Sequence, residues 1–315
     1  MGALRSAVPA ELLAAARDGD RAALARLLSL VERGGIGARD VARAVFPSAG
    51  AAHTIGITGA PGAGKSSLTS ALCNEMRADG ERVAVLAIDP SSPFSGGAIL
   101  GDRVRMGDHA LDDGVYIRSM ATRGHLGGLS LATPEAVRVL DAAGYAWVVI
   151  ETVGVGQVEV EVAGAADTTV VVVNPGWGDA VQANKAGLME IADIFVINKA
   201  DRPGAAETRR DLEAMLTYGA RLDRVPPIVE TVATTGAGVD GLWDALVAHR
   251  EHLLDSGELR RRRAARTDTE LRDVVVARLT ERADALCDGS AWDSARNAVL
   301  AGRLDPWAAA DALID

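Results

Sequence analysis

Residues 59–66 read Gly-Ala-Pro-Gly-Ala-Gly-Lys-Ser, in which two glycines separated by four residues are followed at once by lysine and serine. Glycines let backbone N–H groups wrap around a phosphate, and Lys65 can reach the β- and γ-phosphate oxygens. The hydroxyl of Ser66 is a suitable ligand for Mg²⁺. The pattern predicts a P-loop, with these phosphate-binding residues: Gly59, Ala60, Pro61, Gly62, Ala63, Gly64, Lys65, Ser66 and Ser67.

Carboxylates at the ends of apolar runs supply candidate ligands for the metal. Glu151 follows the run 147–150 and is itself followed three residues later by Gly154, the order expected of a Walker B strand that senses the γ-phosphate. Asp89 ends another run and opens a stretch rich in Pro, Ser and Gly, with Asp102 shortly after it. We predict a magnesium site from Ser66, Asp89, Asp102 and Glu151, with helix or turn capping as the alternative for Asp89 and Asp102.

A second motif, Asn198-Lys199-Ala200-Asp201, follows the apolar run 194–197. The carboxylate of Asp201 can accept hydrogen bonds from N1–H and the exocyclic amine of guanine, whereas adenine presents an acceptor at N1. Lys199 would lie across the base, and a backbone N–H of Val232, Ala233 or Thr234 would reach the guanine oxygen. The sequence therefore favours GTP over ATP.

Short β-branched runs alternate with helical patterns from residue 53 onward, which predicts crossover units and a mostly parallel sheet flanked by helices. The expected fold is α/β, a P-loop NTPase with an N-terminal helical segment and a C-terminal helical arm. Within the N-terminal segment, helical spacing from residue 10 to about 34, broken at 18–20, predicts a helical hairpin. We divide the chain into 1–50, 51–241 and 242–315. The predicted strands cover residues 54–58, 83–88, 115–119, 147–151, 168–174, 194–198 and 228–233.

Two clusters of basic residues fall in the predicted arm. Arg260 to Arg263 form an uninterrupted run, which we interpret as a solvated helix face, with a localisation or nucleic-acid role as the alternative. His249 and His252 lie on a predicted helix and are also expected on a solvated face rather than as metal ligands.

The overall composition excludes several classes of function. With 43 acidic and 33 basic side chains the net charge is −10, which disfavours nucleic-acid binding. No apolar run is long enough to span a bilayer. Two cysteines, Cys73 and Cys287, are too few for a disulfide framework, so a reducing, cytoplasmic compartment is expected.

These motifs and the stretches between them resemble the MeaB/ArgK family, the GTPase chaperones of adenosylcobalamin-dependent methylmalonyl-CoA mutase. The resemblance covers nearly the whole chain. One difference is Val158, where most relatives are expected to carry serine. The resemblance is carried by residues 59–66, 88–103, 120–129 and 151–157, by Gly178-Asp179 with Gln182 and Lys185, and by 189–193.

The resemblance implies a Mg²⁺-dependent GTPase that gates cobalamin delivery to the mutase and protects or restores that enzyme. It implies a homodimer formed through the C-terminal arm, and no bound organic cofactor beyond GTP or GDP with Mg²⁺. It also implies three segments that respond to the nucleotide or to a partner, at 89–102, 151–163 and 174–185. Asp179 and Lys185 would belong to the segment that responds to the mutase. Lys65, Glu151 and Lys185 are the expected catalytic residues.

The group that activates water is not identified by the sequence. Gln157 lies near the position of a water-orienting glutamine, and Arg123 or Lys185 could bring positive charge to the transition state once a partner orders their loops. An ATP-driven kinase or transport-associated ATPase is an alternative function, although it leaves Asp201 without a purpose. Another acyl-CoA mutase as client is a further alternative.

Overall fold

The computed structural model describes residues 8–89, 107–109, 111–121, 131–152, 162, 164–176, 190–218 and 224–314. Its contacts divide the chain into two compact units, Met1–Arg263 and Ala264–Asp315.

A parallel sheet of seven strands forms the centre of the first unit, in the order β3-β2-β4-β1-β5-β6-β7. Every residue of β1, β4, β5 and β6 is buried, which explains why apolar residues occupy both faces of β4, β5 and β6 instead of alternating with polar ones. All seven predicted strands are present, and the α/β fold is confirmed. The strands are β1 (His53–Gly59), β2 (Val83–Asp89), β3 (Val115–Ala121), β4 (Trp147–Thr152), β5 (Thr168–Val173), β6 (Ile194–Asn198) and β7 (Ile228–Thr231).

Helices cover both faces of this sheet. The N-terminal helices α1 (Pro9–Arg17), α2 (Arg21–Arg33) and α3 (Gly35–Val45) pack with α5 (Ala132–Ala142) against one face. The helical hairpin expected before residue 34 is thus followed by a third helix that was not predicted. Asp20 starts α2 because its side chain accepts the N–H groups of Ala22 and Ala23.

The opposite face is covered by α4 (Lys65–Ala78) and α7 (Val239–Asp255), while α6 (Ala205–Tyr218) packs beside β6. Leu242 and Leu246 of α7 are fully buried against α4 and the sheet. This helix, which the sequence-based division assigned to the arm, therefore packs in the core of the first unit.

The second unit contains most of α8 (Glu258–Leu286), with α9 (Gly289–Leu300) and α10 (Pro306–Ile314). An apolar pocket of about 380 Å³ lies among these helices and includes Leu286, Trp292, Val299 and Leu313 in its lining. Apolar side chains of α8 also face solvent, among them Leu271, Val275 and Leu279. No helix in the described part of the chain is both long enough and apolar enough to cross a membrane.

Candidate nucleotide site

The predicted P-loop connects β1 to α4 at the carboxyl edge of the sheet, and its glycines are required by close contacts. Gly59 has φ 133°, and a Cβ atom there would lie 2.0 Å from the carbonyl oxygen of Val172 in β5. Gly64 has φ 92°, and its Cβ would lie 2.4 Å from the side-chain nitrogen of Asn198. The loop thus passes so close to the ends of β5 and β6 that neither position can accept a side chain. The N-terminus of α4 then faces the loop with its partial positive charge.

Lys65, the first residue of α4, folds back across the loop. Its Nζ donates hydrogen bonds to the carbonyl oxygens of Gly59 at 2.8 Å and Ala60 at 3.1 Å. The side chain is buried. An ammonium group held at the mouth of a loop of backbone N–H groups can transfer its hydrogen bonds to phosphate oxygens, which are stronger acceptors than neutral carbonyls.

Ser66 and Glu151 meet across the sheet although 85 residues separate them in sequence. The Ser66 hydroxyl donates to Oε1 of Glu151 at 2.5 Å, and both side chains are buried. β1 and β4 are adjacent, with Ile57 in register with Glu151, so the end of β4 reaches the start of α4. A hydroxyl and a carboxylate that converge beside a phosphate loop match the oxygen ligands that Mg²⁺ prefers. These residues therefore fit a magnesium ion.

Asn198, at the end of β6, links three segments of the site. Its Nδ2 donates to the carbonyl oxygen of Ala63 at 2.8 Å. Its Oδ1 accepts from the Thr231 hydroxyl at 3.2 Å and from the backbone N–H of Ala233 at 3.1 Å. The side chain thus joins the P-loop to the two strands that carry the predicted base-binding residues. Thr231 was not identified from the sequence as part of the site. The only feature that could have indicated it was a hydroxyl-bearing residue at the end of a predicted strand.

The residues after Asn198 form a tight turn at the mouth of the site. Lys199 has φ 60°, and its Nζ donates to the carbonyl oxygen of Gly62 at 2.6 Å, so that its side chain extends over the P-loop. The Ala200 N–H donates to the Thr231 carbonyl at 3.0 Å, which fixes the turn against β7. Asp201 is exposed two residues beyond Lys199. Its carboxylate is therefore accessible from solvent.

The structure brings Lys65, Ser66, Glu151, Asn198 and Ala233 into one cluster, with Lys199 beside it. β2 ends at Asp89 on the same edge of the sheet. Several other residues predicted to act in the site or its responsive segments lie outside the described residues, namely Asp102, Arg123, Gln157, Asp179 and Lys185.

The expectation for His249 was wrong. Its ring is buried, with Nδ1 2.8 Å from the Thr168 hydroxyl, whereas His252 is exposed as expected. Burial lowers the pKa of His249 to about 4, against the raising effect of Asp193. The same cause lowers the pKa of His53 to about 4, so both rings are neutral near pH 7.

The interpretation of the arginine run holds for Arg260 and Arg261, which are exposed, and fails for Arg262 and Arg263. Arg262 forms two hydrogen bonds of 2.9 Å to the carboxylate of Asp193. Arg263 binds both carboxylate oxygens of Asp167, at 3.1 and 2.6 Å. The sequence could not reveal these partners, because Asp193, just before β6, is 69 residues from Arg262, and Asp167, just before β5, is 96 residues from Arg263.

The chain is similar to several known proteins. The family model described as methylmalonyl-CoA mutase-associated GTPase MeaB matches residues 24–288. A protein of Pyrococcus abyssi, named provisionally as a GTPase, is 48% identical over 308 residues, which cover 96% of this chain and 95% of the relative. The mouse protein named methylmalonic aciduria type A homolog, mitochondrial, is 35% identical over 265 residues, which cover 78% of this chain and 64% of that protein.

A solved structure also matches nearly the full length. It is described as LAO/AO transport system kinase, is 28% identical, and superposes with a TM-score of 0.72 over 99% of this chain and 98% of that one. The arrangement of sheet and helices around the P-loop is thus shared with an experimentally determined fold.

Proposed function

Because this chain belongs to the MeaB family of methylmalonyl-CoA mutase-associated GTPases, we propose that its GTP hydrolysis gates the loading of adenosylcobalamin onto a methylmalonyl-CoA mutase and protects or reactivates that enzyme. The observation that carries this proposal is the family match over residues 24–288, which includes the whole nucleotide site. The name of the mouse relative, which refers to methylmalonic aciduria, points to the same metabolism. A cytoplasmic location is part of the proposal.

For the nucleotide, we propose that Gly59 to Ser67 bind the phosphates and that Asp201 reads guanine. Support comes from the connection between the two ends of the site, since Asn198 is bonded both to Ala63 of the P-loop and to Ala233. Of the three predicted N–H donors, that of Val232 donates to the Ala237 carbonyl and that of Ala233 to Asn198. The contact to the guanine oxygen is therefore assigned to the Thr234 N–H. Lys199 would support the face of the base.

For catalysis, Lys65 would release the carbonyl oxygens of Gly59 and Ala60 and neutralise charge that develops on the γ-phosphate. Ser66 and Glu151 would hold Mg²⁺, with Asp89 and Asp102 as further ligands or partners of its waters. The metal, when bound, supplies charge stabilisation at the phosphate oxygens. Lys185 is proposed to add a positive charge when the mutase is present, which predicts slow turnover by the isolated GTPase.

We also propose a homodimer formed through residues of the C-terminal arm. Within the second unit, Leu271, Val275 and Leu279 follow the i, i+4, i+8 spacing of one helix face and are exposed. Water contact with such a row is unfavourable, and a second copy of the helix would remove it. Light scattering would give a dimer mass for the wild type and a monomer mass for V275D/L279D. A monomeric wild type would refute the proposal.

The experiment that tests the chaperone function measures phosphate release from GTP and ATP, with and without an adenosylcobalamin-dependent methylmalonyl-CoA mutase from the same source. We expect slow GTP turnover that rises with the mutase, no turnover of ATP, and no turnover in the K65A control. Turnover of GTP that does not respond to the mutase would refute the proposed client. Comparable use of ATP would instead favour the kinase or ATPase function suggested by the description of the solved structure.

A further inference from the structure

Asp167 and Asp193 occupy equivalent places at the amino ends of two adjacent strands. Asp167 precedes β5, and its carboxylate accepts the N–H of Thr54 at 3.0 Å while its own N–H donates to the Thr54 carbonyl at 2.9 Å. Asp193 precedes β6 and makes the same pair of bonds with Thr169, at 2.8 and 2.9 Å. Each aspartate therefore fixes the start of its strand against the preceding strand of the sheet.

Both carboxylates are bound by the first turns of α8. Arg262 binds Asp193 through two hydrogen bonds and also donates to the carbonyl oxygen of Asp167 at 3.0 Å. Arg263 binds Asp167 and donates to the carbonyl oxygens of Gly50 and Ala52 at 2.6 and 2.7 Å. We name these four residues, Arg262, Arg263, Asp167 and Asp193, the Arg–Asp clamp. Its paired hydrogen bonds are directional, so they fix position as well as charge.

Two histidines fill the space beside the clamp. His53 Nε2 and His249 Nδ1 are both 2.8 Å from the Thr168 hydroxyl oxygen. Nε2 of His249 lies 3.4 Å from Asp193, and Nδ1 of His53 lies 3.8 Å from Asp167. The clamp is thus part of a packed, buried polar layer under the sheet, where displacement of one group disturbs the others.

The carboxyl ends of the same two strands form the nucleotide site. On β5, the carbonyl of Val172 packs so closely on Gly59 that no Cβ atom would fit between them. On β6, Asn198 bonds to Ala63. A strand of six residues spans roughly 20 Å and is held along its length by hydrogen bonds to its neighbours. A displacement at the clamped ends of β5 and β6 would therefore reach the P-loop.

We propose that Arg262 and Arg263 are positioning residues of the nucleotide site, which act through Asp167 and Asp193 on β5 and β6. Helix α8 would then sense the nucleotide, because a coupling between two sites is reciprocal: if the clamp strengthens nucleotide binding, the nucleotide strengthens the clamp by the same factor. The two arginines lie at the end of the first unit, where the chain continues into the second.

The first test measures GDP affinity in the full chain for R262Q, R263Q and the double variant. We expect the double variant to bind GDP about tenfold more weakly, within the usual range of coupling between sites. R260Q is the matched control, since Arg260 belongs to the same run and is exposed, and it should bind GDP like the wild type. Wild-type affinity in a folded double variant would overturn the proposal.

The second test needs no variant and separates positioning from general stabilisation. Amide hydrogen exchange of residues 258–263 would be compared in the wild type with and without GDP, using α2 on the other face of the sheet as the reference. Ligand binding alone slows exchange throughout the folded unit. Greater protection of residues 258–263 than of α2 supports the proposal, and equal protection refutes it. If R262Q/R263Q does not fold, R262K and R263K, which keep the charge, replace it in the affinity measurement.

Discussion

The carboxamide of Asn198 donates to the carbonyl oxygen of Ala63 at 2.8 Å, so the strand that carries the predicted base motif is bonded directly to the phosphate loop. The same side chain accepts from Thr231 and Ala233. Asn198, which was predicted to belong to the base-binding motif alone, thus links that motif to the P-loop. Nucleotide affinity and the stability of the empty protein should both depend on it.

Replacement of Asn198 by alanine should weaken GDP binding about 100-fold and lower the free energy of unfolding by about 2–4 kcal/mol, since each buried group left unpaired costs about 1–3 kcal/mol. Equilibrium binding of a fluorescent GDP analogue and urea denaturation would measure the two effects. N74A is the control, because Asn74 is exposed on α4. Loss of stability with unchanged GDP affinity would contradict the role of Asn198 as a link.

Replacement of Glu151 by glutamine should raise the Mg²⁺ concentration needed for half-maximal GTP turnover and slow turnover by about 10–100-fold, because a carboxylate ligand becomes a neutral amide. The isosteric change keeps an acceptor for the Ser66 hydroxyl, which limits damage to the fold. Turnover would be measured across a Mg²⁺ titration, with E190Q on the surface as control. An unchanged Mg²⁺ requirement would remove Glu151 from the metal site.

Replacement of Asp201 by asparagine should weaken GTP binding by about 100-fold or more, because a charged acceptor for two guanine N–H groups is lost. An asparagine side chain offers one acceptor and one donor, which matches the N1–H and the 2-carbonyl of xanthine. XTP should therefore compete better in the variant than in the wild type. D211N provides a control on α6, and unchanged preference for GTP in D201N would argue against base reading by Asp201.

Stability should fall as the pH is lowered from about 6.5 to about 4. Burial lowers the pKa of His53 and of His249 to about 4 in the folded protein, while histidines in the unfolded chain have the ordinary pKa of about 6.5. Between these values the unfolded state binds more protons, so acid favours unfolding. The charged groups around the two rings are Asp167, Asp193, Arg224, Arg250, Arg262, Arg263 and His252.

Urea denaturation at pH 7.5 and pH 5 would measure this loss, which should amount to a few kcal/mol since each pKa unit corresponds to about 1.4 kcal/mol. H249Q should show a smaller decrease, because one titrating group is removed. The exposed His252 is the control position, and H252Q should decrease like the wild type. Equal stability at the two pH values would show that the rings titrate alike in both states.

The sequence by itself determined the fold class and the nucleotide motifs. The P-loop at 59–66 and the turn at 198–201 are each a single short stretch of sequence, and the chemistry of each depends on residue types at fixed spacing within that stretch. The strands were predictable because full burial leaves short runs of β-branched residues, such as residues 168–173, of which the last four are valines. The third N-terminal helix was missed, since Gly35 at its start is a poor helix former and masked the pattern.

Only the tertiary structure decided which polar groups meet. Ser66 reaches Glu151 because β1 and β4 are neighbours in the sheet, an order that chain sequence does not give. Arg261 and Arg262 are adjacent and chemically identical, yet one faces solvent and the other binds Asp193. His249 and His252 differ in the same way. The cause is the same in each case. The sequence does not distinguish a buried polar residue from a solvated one, because the partner that forms its hydrogen bonds lies on a segment distant in sequence.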